Sequence, residues 1–307
     1  MQTDSTFHHP LTQADGDAVA AMRVEIAPFK AKLTGPEARG AFDDVMEHTP
    51  DAAGVCDDRR DIAGIAGYWC QPTRARADTV ILYLHGGAYV LGSAHAYRHF
   101  ARQIAARTST AVFIAEYRLA PEHVFPAAVE DAHAAYRGLV ARGAKHIAIV
   151  GDSAGGGLAL ALLSVVQAEA RAGEGLAASA AVVMSPWTDL ALTGASFEQR
   201  ASEDPVLSKD ILGIASASYL AGGDPRDPLA SPLYADLAGL PPIQLHVGTS
   251  EVLLDDTRRY AERARAVGVD ATAHVWEGMT HVFPASVGTL EAADQALVII
   301  ATFLDRN

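Results

Sequence analysis

Ser153 stands in Gly151-Asp152-Ser153-Ala154-Gly155, a Gly-x-Ser-x-Gly pattern at the junction of two unlike stretches. Before it runs the short, β-branched segment Ile147-Ala148-Ile149-Val150, which reads as a buried parallel strand. After it, Leu158, Leu160, Ala161, Leu162, Val165 and Val166 mark an apolar helix that ends near Gly173. A serine on such a tight strand-to-helix turn is strained, with its hydroxyl presented outward for nucleophilic attack. Gly151 and Gly155 are expected where strand and helix pass too closely for a side chain. A second stretch, Thr79 to Leu84, runs as a strand into His85-Gly86-Gly87-Ala88. Fixed backbone N–H groups stabilise a developing oxyanion well, and adjacent glycines turn them inward unobstructed. Gly86 and Gly87 are therefore expected donors. Ala154, at the start of the helix after the serine, is the third.

A serine needs a base, and the base a carboxylate to orient it. Of twelve histidines, only His274 and His281 follow the last strand able to carry the acid. His274 falls inside the apparent strand 270–276, where a packed histidine is the usual explanation. His281 follows that strand on the loop 277–280, at the sheet end where ligands bind. The acid should lie on 248–256, after the strand Ile243-Gln244-Leu245-His246-Val247. Glu251, Asp255 and Asp256 are available there. The two aspartates also open a helix, where they would cap free N–H groups.

Three motifs together, His85-Gly86-Gly87-Ala88, Tyr117-Arg118-Leu119-Ala120-Pro121-Glu122-His123 and Gly151-Asp152-Ser153-Ala154-Gly155-Gly156, resemble the hormone-sensitive-lipase-like branch of the α/β-hydrolases. The resemblance spans roughly residues 60–305. It implies the α/β-hydrolase fold: a mostly parallel sheet of about eight strands, helices on both faces, and a helical cap. It implies a serine carboxylesterase acting on short- to medium-chain esters through an acyl-enzyme, with no cofactor or metal. The family's Gly-Met-x-His motif falls on His281. Its acid motif, commonly Asp-Pro-Leu-x-Asp, aligns on Leu253 and Asp255 and places the acid at Glu251, so this chain departs by carrying a glutamate. Asp255 remains the alternative. A lactone, amide or carbamate hydrolase on the same residues is the neighbouring alternative, and a non-catalytic small-molecule receptor the distant one. Members often dimerise, so a homodimer is an expectation of the resemblance alone.

Residues 1–50 read as helical and lie ahead of the first clear strand, which makes them a first cap segment. Thr12 and Asp15 form a capping-box-like start, Pro28 closes that helix, and Pro36 opens another with Phe42, Val45 and Met46 on its apolar side. Residues 188–232 break the strand–helix rhythm and form the second cap segment, with Ser208 capping a helix from Lys209 to about Ala221. The core is then 51–187 and 233–307. Trp187, Leu207, Ile211 and Leu212 are expected to line the substrate pocket. His95 and His99 share a helical spacing that suits a metal, but no third ligand accompanies them.

The chain has 307 residues and a net charge of −13, half of it apolar and a fifth charged. That balance suits a large core and argues against a nucleic-acid partner. No apolar run reaches the length needed to span a bilayer. The polar start lacks the features of a signal peptide, and the two cysteines, Cys56 and Cys70, are expected as free thiols of a cytoplasmic protein.

Overall fold

A computed structural model of the chain describes residues 5–26, 30 and 34–307. In chain order its elements are β1 (Thr6–His9), α1 (Gln13–Ile26), α2 (Arg39–Glu47), β2 (Val55–Ile62), β3 (Ile65–Pro72) and β4 (Thr79–Leu84). Then come α3 (Arg98–Thr108), β5 (Ala111–Ala115), α4 (Ala127–Ala141), β6 (His146–Asp152), α5 (Ser153–Arg171) and β7 (Ala180–Met184). The last are α6 (Ser196–Gln199), α7 (Lys209–Leu220), β8 (Ile243–Gly248), α8 (Leu254–Ala266), β9 (Ala271–Trp276) and α9 (Glu291–Arg306).

The strands form one sheet in the order β1-β9-β8-β7-β6-β4-β5-β3-β2. The hairpin β2–β3 is antiparallel, β3 is antiparallel to β5, and every other pair is parallel. Alternation along each strand divides the apolar side chains between two faces. In β4, Val80, Leu82 and Leu84 join the core under α4 and α5, while Ile81 and Tyr83 join the core under α3 and α9. With both faces covered, β4, β6 and β7 can be apolar nearly throughout, as parallel strands require. Their shared direction brings the loops after β4, β6, β7, β8 and β9 to one sheet edge.

Among the described residues the sheet has nine strands where about eight were expected, and the added strand is β1. Residues 1–50 are therefore not all helical, nor all outside the sheet. β1 is four residues long, lies on the sheet edge, and exposes Phe7. Such a stretch carries no apolar periodicity to read. Pairing with β9 and the His9 ring, stacked 3.7 Å from Trp276, hold it in place. The capping box is also half-made. Asp15 N–H donates to Thr12 Oγ1 at 3.1 Å. The Asp15 carboxylate instead accepts the Glu291 and Ala292 N–H groups at 2.7 and 3.2 Å, capping α9 across the molecule. The expected end of the first helix at Pro28 lies outside the described residues. On α2, Phe42 and Met46 pack inward, but Val45 is exposed.

Helix α5 is the one helix among the described residues long and apolar enough, by length and composition, to cross a membrane. This amends the expectation that no run reaches that length. The helix lies mostly buried against β6 and β7, as core helices of its kind do. In 188–232, Ser208 Oγ accepts the Ile211 N–H at 3.3 Å, and α7 ends at Ala221 in the left-handed region.

Candidate active site

The turn after β6 puts Ser153 at φ +53°, in the strained region expected of it. A Cβ on Gly155 would lie 2.1 Å from Leu84 O, and one on Gly151 2.4 Å from Gly155 O, so only glycine lets α5 start this close to β4 and β6. Ser153 Oγ–H donates to His281 Nε2 at 2.9 Å. His281 Nδ1–H donates to Glu251 Oε2 at 2.9 Å. The three side chains come from loops after β6, β8 and β9 and form one line. Glu251 is fully buried, and its Oε1 also accepts Gly248 N–H at 2.7 Å and Ser185 Oγ–H at 2.8 Å. A buried carboxylate with this many donors is held in place. Burial alone would lower the His281 pKa. The hydrogen bond and charge of Glu251, with the charges of Asp204 and Asp152, outweigh it and hold the imidazole above its ordinary value.

Asp255 is elsewhere. Its carboxylate accepts Ser196 N–H at 2.9 Å, and its own N–H donates to Ser196 Oγ at 3.1 Å, fastening α8 to α6. Asp256 is buried and accepts the Thr188 and Asp189 N–H groups. His274 packs within the sheet against His9 and His246, and burial pushes its pKa down to about 4. His95 bonds the Tyr68 hydroxyl, whereas His99 faces the carbonyls of Glu47 and Thr49, so the two do not converge. Among the described residues no group of three or more His, Cys, Asp or Glu is arranged to hold a metal.

The donor role expected of Gly86 does not fit. Its N–H donates to Asp152 Oδ1 at 3.0 Å and is committed to the interior. A Cβ on Gly86 would sit 2.2 Å from Asp152 Oδ2, so glycine here admits the carboxylate rather than freeing an amide. Asp152 is buried and also accepts Tyr83 Oη–H at 2.7 Å and Tyr97 Oη–H at 3.0 Å. Burial raises its pKa, against those two hydrogen bonds. His85 is buried beside it, stacked 4.3 Å from Tyr117, and its Nδ1–H donates to Gly86 O at 2.8 Å. Gly87, Ala88 and Tyr89 then all take positive φ, turning the chain sharply. No acceptor among the described residues meets the Gly87 or Ala88 N–H. Ala154, in the first turn of α5, has no intrahelical acceptor by geometry.

Trp187 does not line an open pocket as expected. It is fully buried, tilted against Tyr89, with its indole N–H donating to Asp189 O at 3.2 Å.

Ser185, Asp152 and Asp204 were not singled out from the sequence as site residues. Ser185 follows β7 at φ +48° and is buried. Besides bonding Glu251, its Oγ accepts the Val282 N–H at 3.0 Å, so one hydroxyl joins the loops carrying the carboxylate and the imidazole. A serine after an apolar strand offers no pattern by which to find it.

Residues 81–285 match the protein family described as the alpha/beta hydrolase fold. The chain is a member of the α/β-hydrolases, in the hormone-sensitive-lipase-like branch. Over 238 residues it is 44% identical to an acetyl-hydrolase of Streptomyces hygroscopicus, covering 77% of this chain and 78% of that one. Among solved structures, an esterase from the bacterial hormone-sensitive lipase family superposes with a TM-score of 0.89 at 41% identity, over 96% of this chain and 99% of that one. Another, EstE5 soaked with p-nitrophenyl butyrate, gives 0.84 at 37% identity, over 94% and 98%. This hydrolase is a carboxylic ester hydrolase.

Proposed function

We propose that Ser153, His281 and Glu251 are the nucleophile, base and acid of a serine carboxylesterase for short- to medium-chain esters. The observation that carries this reading is the unbroken hydrogen-bonded line from Glu251 through His281 to Ser153. Ser153 attacks the ester carbonyl as His281 takes its proton, and Glu251 holds the imidazole tautomer and stabilises the imidazolium. The N–H groups of Gly87, Ala88 and Ala154 receive the oxyanion, with the α5 dipole adding favourable potential. His281 then protonates the leaving alcohol. Water repeats the two steps on the acyl-enzyme and releases the acid. The described residues of 10–50, together with 188–232, form the cap. Arg39 of α2 supports that docking: its guanidinium pairs with Glu122 at 2.7 Å and donates to Ala120 O at 2.9 Å. A reducing, cytoplasmic setting suits Cys56 and Cys70, both free thiols.

A p-nitrophenyl ester series, run beside lactones and amides, tests the reading. Acetate to hexanoate should turn over fastest, with a burst of p-nitrophenol equal to the enzyme present. Alanine at Leu207 or Ile211, both on the second cap segment, the first partly accessible and the second buried, should move the preferred chain length upward. A panel in which lactones or amides outrun every ester would reject the substrate class.

Ser185 gives a separate test. Ser185→Ala removes a donor to Glu251 and an acceptor for Val282. It should lower kcat by about ten- to a hundredfold with KM little changed. Ser185→Gly, which relieves the positive φ, should lose as much. If both variants turn over at wild-type rates, Ser185 does not orient the acid.

A further inference from the structure

The second cap segment reaches the triad loops at Val252, whose carbonyl accepts the Ser196 hydroxyl and whose N–H meets a carboxylate. Asp204, between α6 and α7, is fully buried. Its Oδ1 accepts the Val206 and Leu207 N–H groups, each at 2.8 Å, as an aspartate does in organising a turn. That local role does not account for its second oxygen. Oδ2 accepts the N–H of Val252 at 2.9 Å, the amide directly after Glu251 and distant in sequence. The same stretch is held from the N-terminal side, where Lys30 Nζ donates to the carbonyls of Ala201 and Asp204.

We propose that Asp204 is a positioning residue for ester hydrolysis, fixing the Glu251 loop from the cap and adding its negative charge to the field that acts on His281. The inference rests on the triad reading above. A fully buried carboxylate is costly to desolvate. Three N–H donors offset that cost, but a neutral acceptor would organise the turn without incurring it. The charge has a target in His281. Three carboxylates act on that imidazole: Glu251 from the loop after β8, Asp152 from the end of β6, and Asp204 from the cap. Together they hold its pKa up against burial. Asp204 thereby helps stabilise the imidazolium that forms as Ser153 attacks.

The pH profile separates charge from scaffolding. kcat/KM needs neutral His281, so it rises with pH through the pKa of that group. Removing a nearby negative charge lowers that pKa and moves the acid limb to lower pH. Asp204→Asn should shift the limb down by about half a unit. It should also cut plateau kcat about tenfold, with KM within about twofold, because one of its three amide partners loses its acceptor. Asp204→Glu keeps the charge and should leave the limb at the wild-type position while kcat falls. An Asn variant whose limb coincides with wild type overturns the proposal, however much activity it loses. If the Asn variant does not fold, hydrogen exchange in the wild type decides. Val252 N–H should be protected like the amides of β8, and exchange as fast as an exposed loop overturns the link. Glu251→Ala, measured in parallel, keeps the two claims apart: unimpaired turnover there rejects the triad, not the Asp204 contact.

Discussion

Ser153→Ala is expected to lower kcat for ester hydrolysis by roughly 10⁴ to 10⁶, about 5–8 kcal/mol of transition-state stabilisation. The hydroxyl is the proposed attacking atom, and its hydrogen bond is to His281. Its loss leaves the other two side chains in register, since Glu251 is still held by Gly248 and Ser185. Alanine meets the same strain at φ +53° that serine does. Folding should thus be unaffected, and a melting curve within a few degrees of wild type is the control. What activity remains should show no burst, because no acyl-enzyme can form. Turnover near the wild-type rate would reject the mechanism.

The second large effect distinguishes Glu251 from Asp255. Glu251→Gln nearly preserves shape. Its amide oxygen can still accept from Ser185 and Gly248, but its NH₂ then faces His281 Nδ1 and favours the wrong tautomer. A kcat loss of about 10³ to 10⁴ with modest loss of stability is expected. Glu251→Ala should match that rate loss and also destabilise, because two buried donors lose their acceptor at about 1–3 kcal/mol each. Asp255→Ala should behave oppositely. Ser196 N–H loses its partner and the melting temperature drops, while kcat stays within about threefold. Steady-state rates and melting curves on the three variants settle the acid, and an inactive, well-folded Asp255→Ala beside an active Glu251→Gln reverses the assignment.

Where chemistry and local pattern coincided, the chain was readable. The β4 run into His85-Gly86-Gly87 and the β6 run into Ser153 carry both strand periodicity and the glycines their turns require. The order of loops along the chain narrowed the histidines to His274 and His281, the strand position of the first favoured the second, and the structure brings Ser153, Glu251 and His281 within hydrogen-bond distance. Asp255 was an equal candidate by residue type, but its helix-opening position gave it a partner in α6. What was not readable depends on direction and distance. Nothing in two adjacent glycines says that the first amide turns toward Asp152. β1 is too short and too exposed to show a period. Ser185 and Asp204 become interesting only when a loop 66 or 48 residues further along the chain folds beside them.

The Asp15 contact with α9 bears on how this enzyme can be re-engineered. A designer wishing to widen the substrate entrance would first trim the leading segment, since the proposed cap includes much of it. That trim would also unpair the outer edge of β9 and leave the first amides of the final helix without an acceptor. The two ends of the polypeptide are thus mechanically linked, so any shortened version should begin no later than residue 5, with access opened from 188–232 instead.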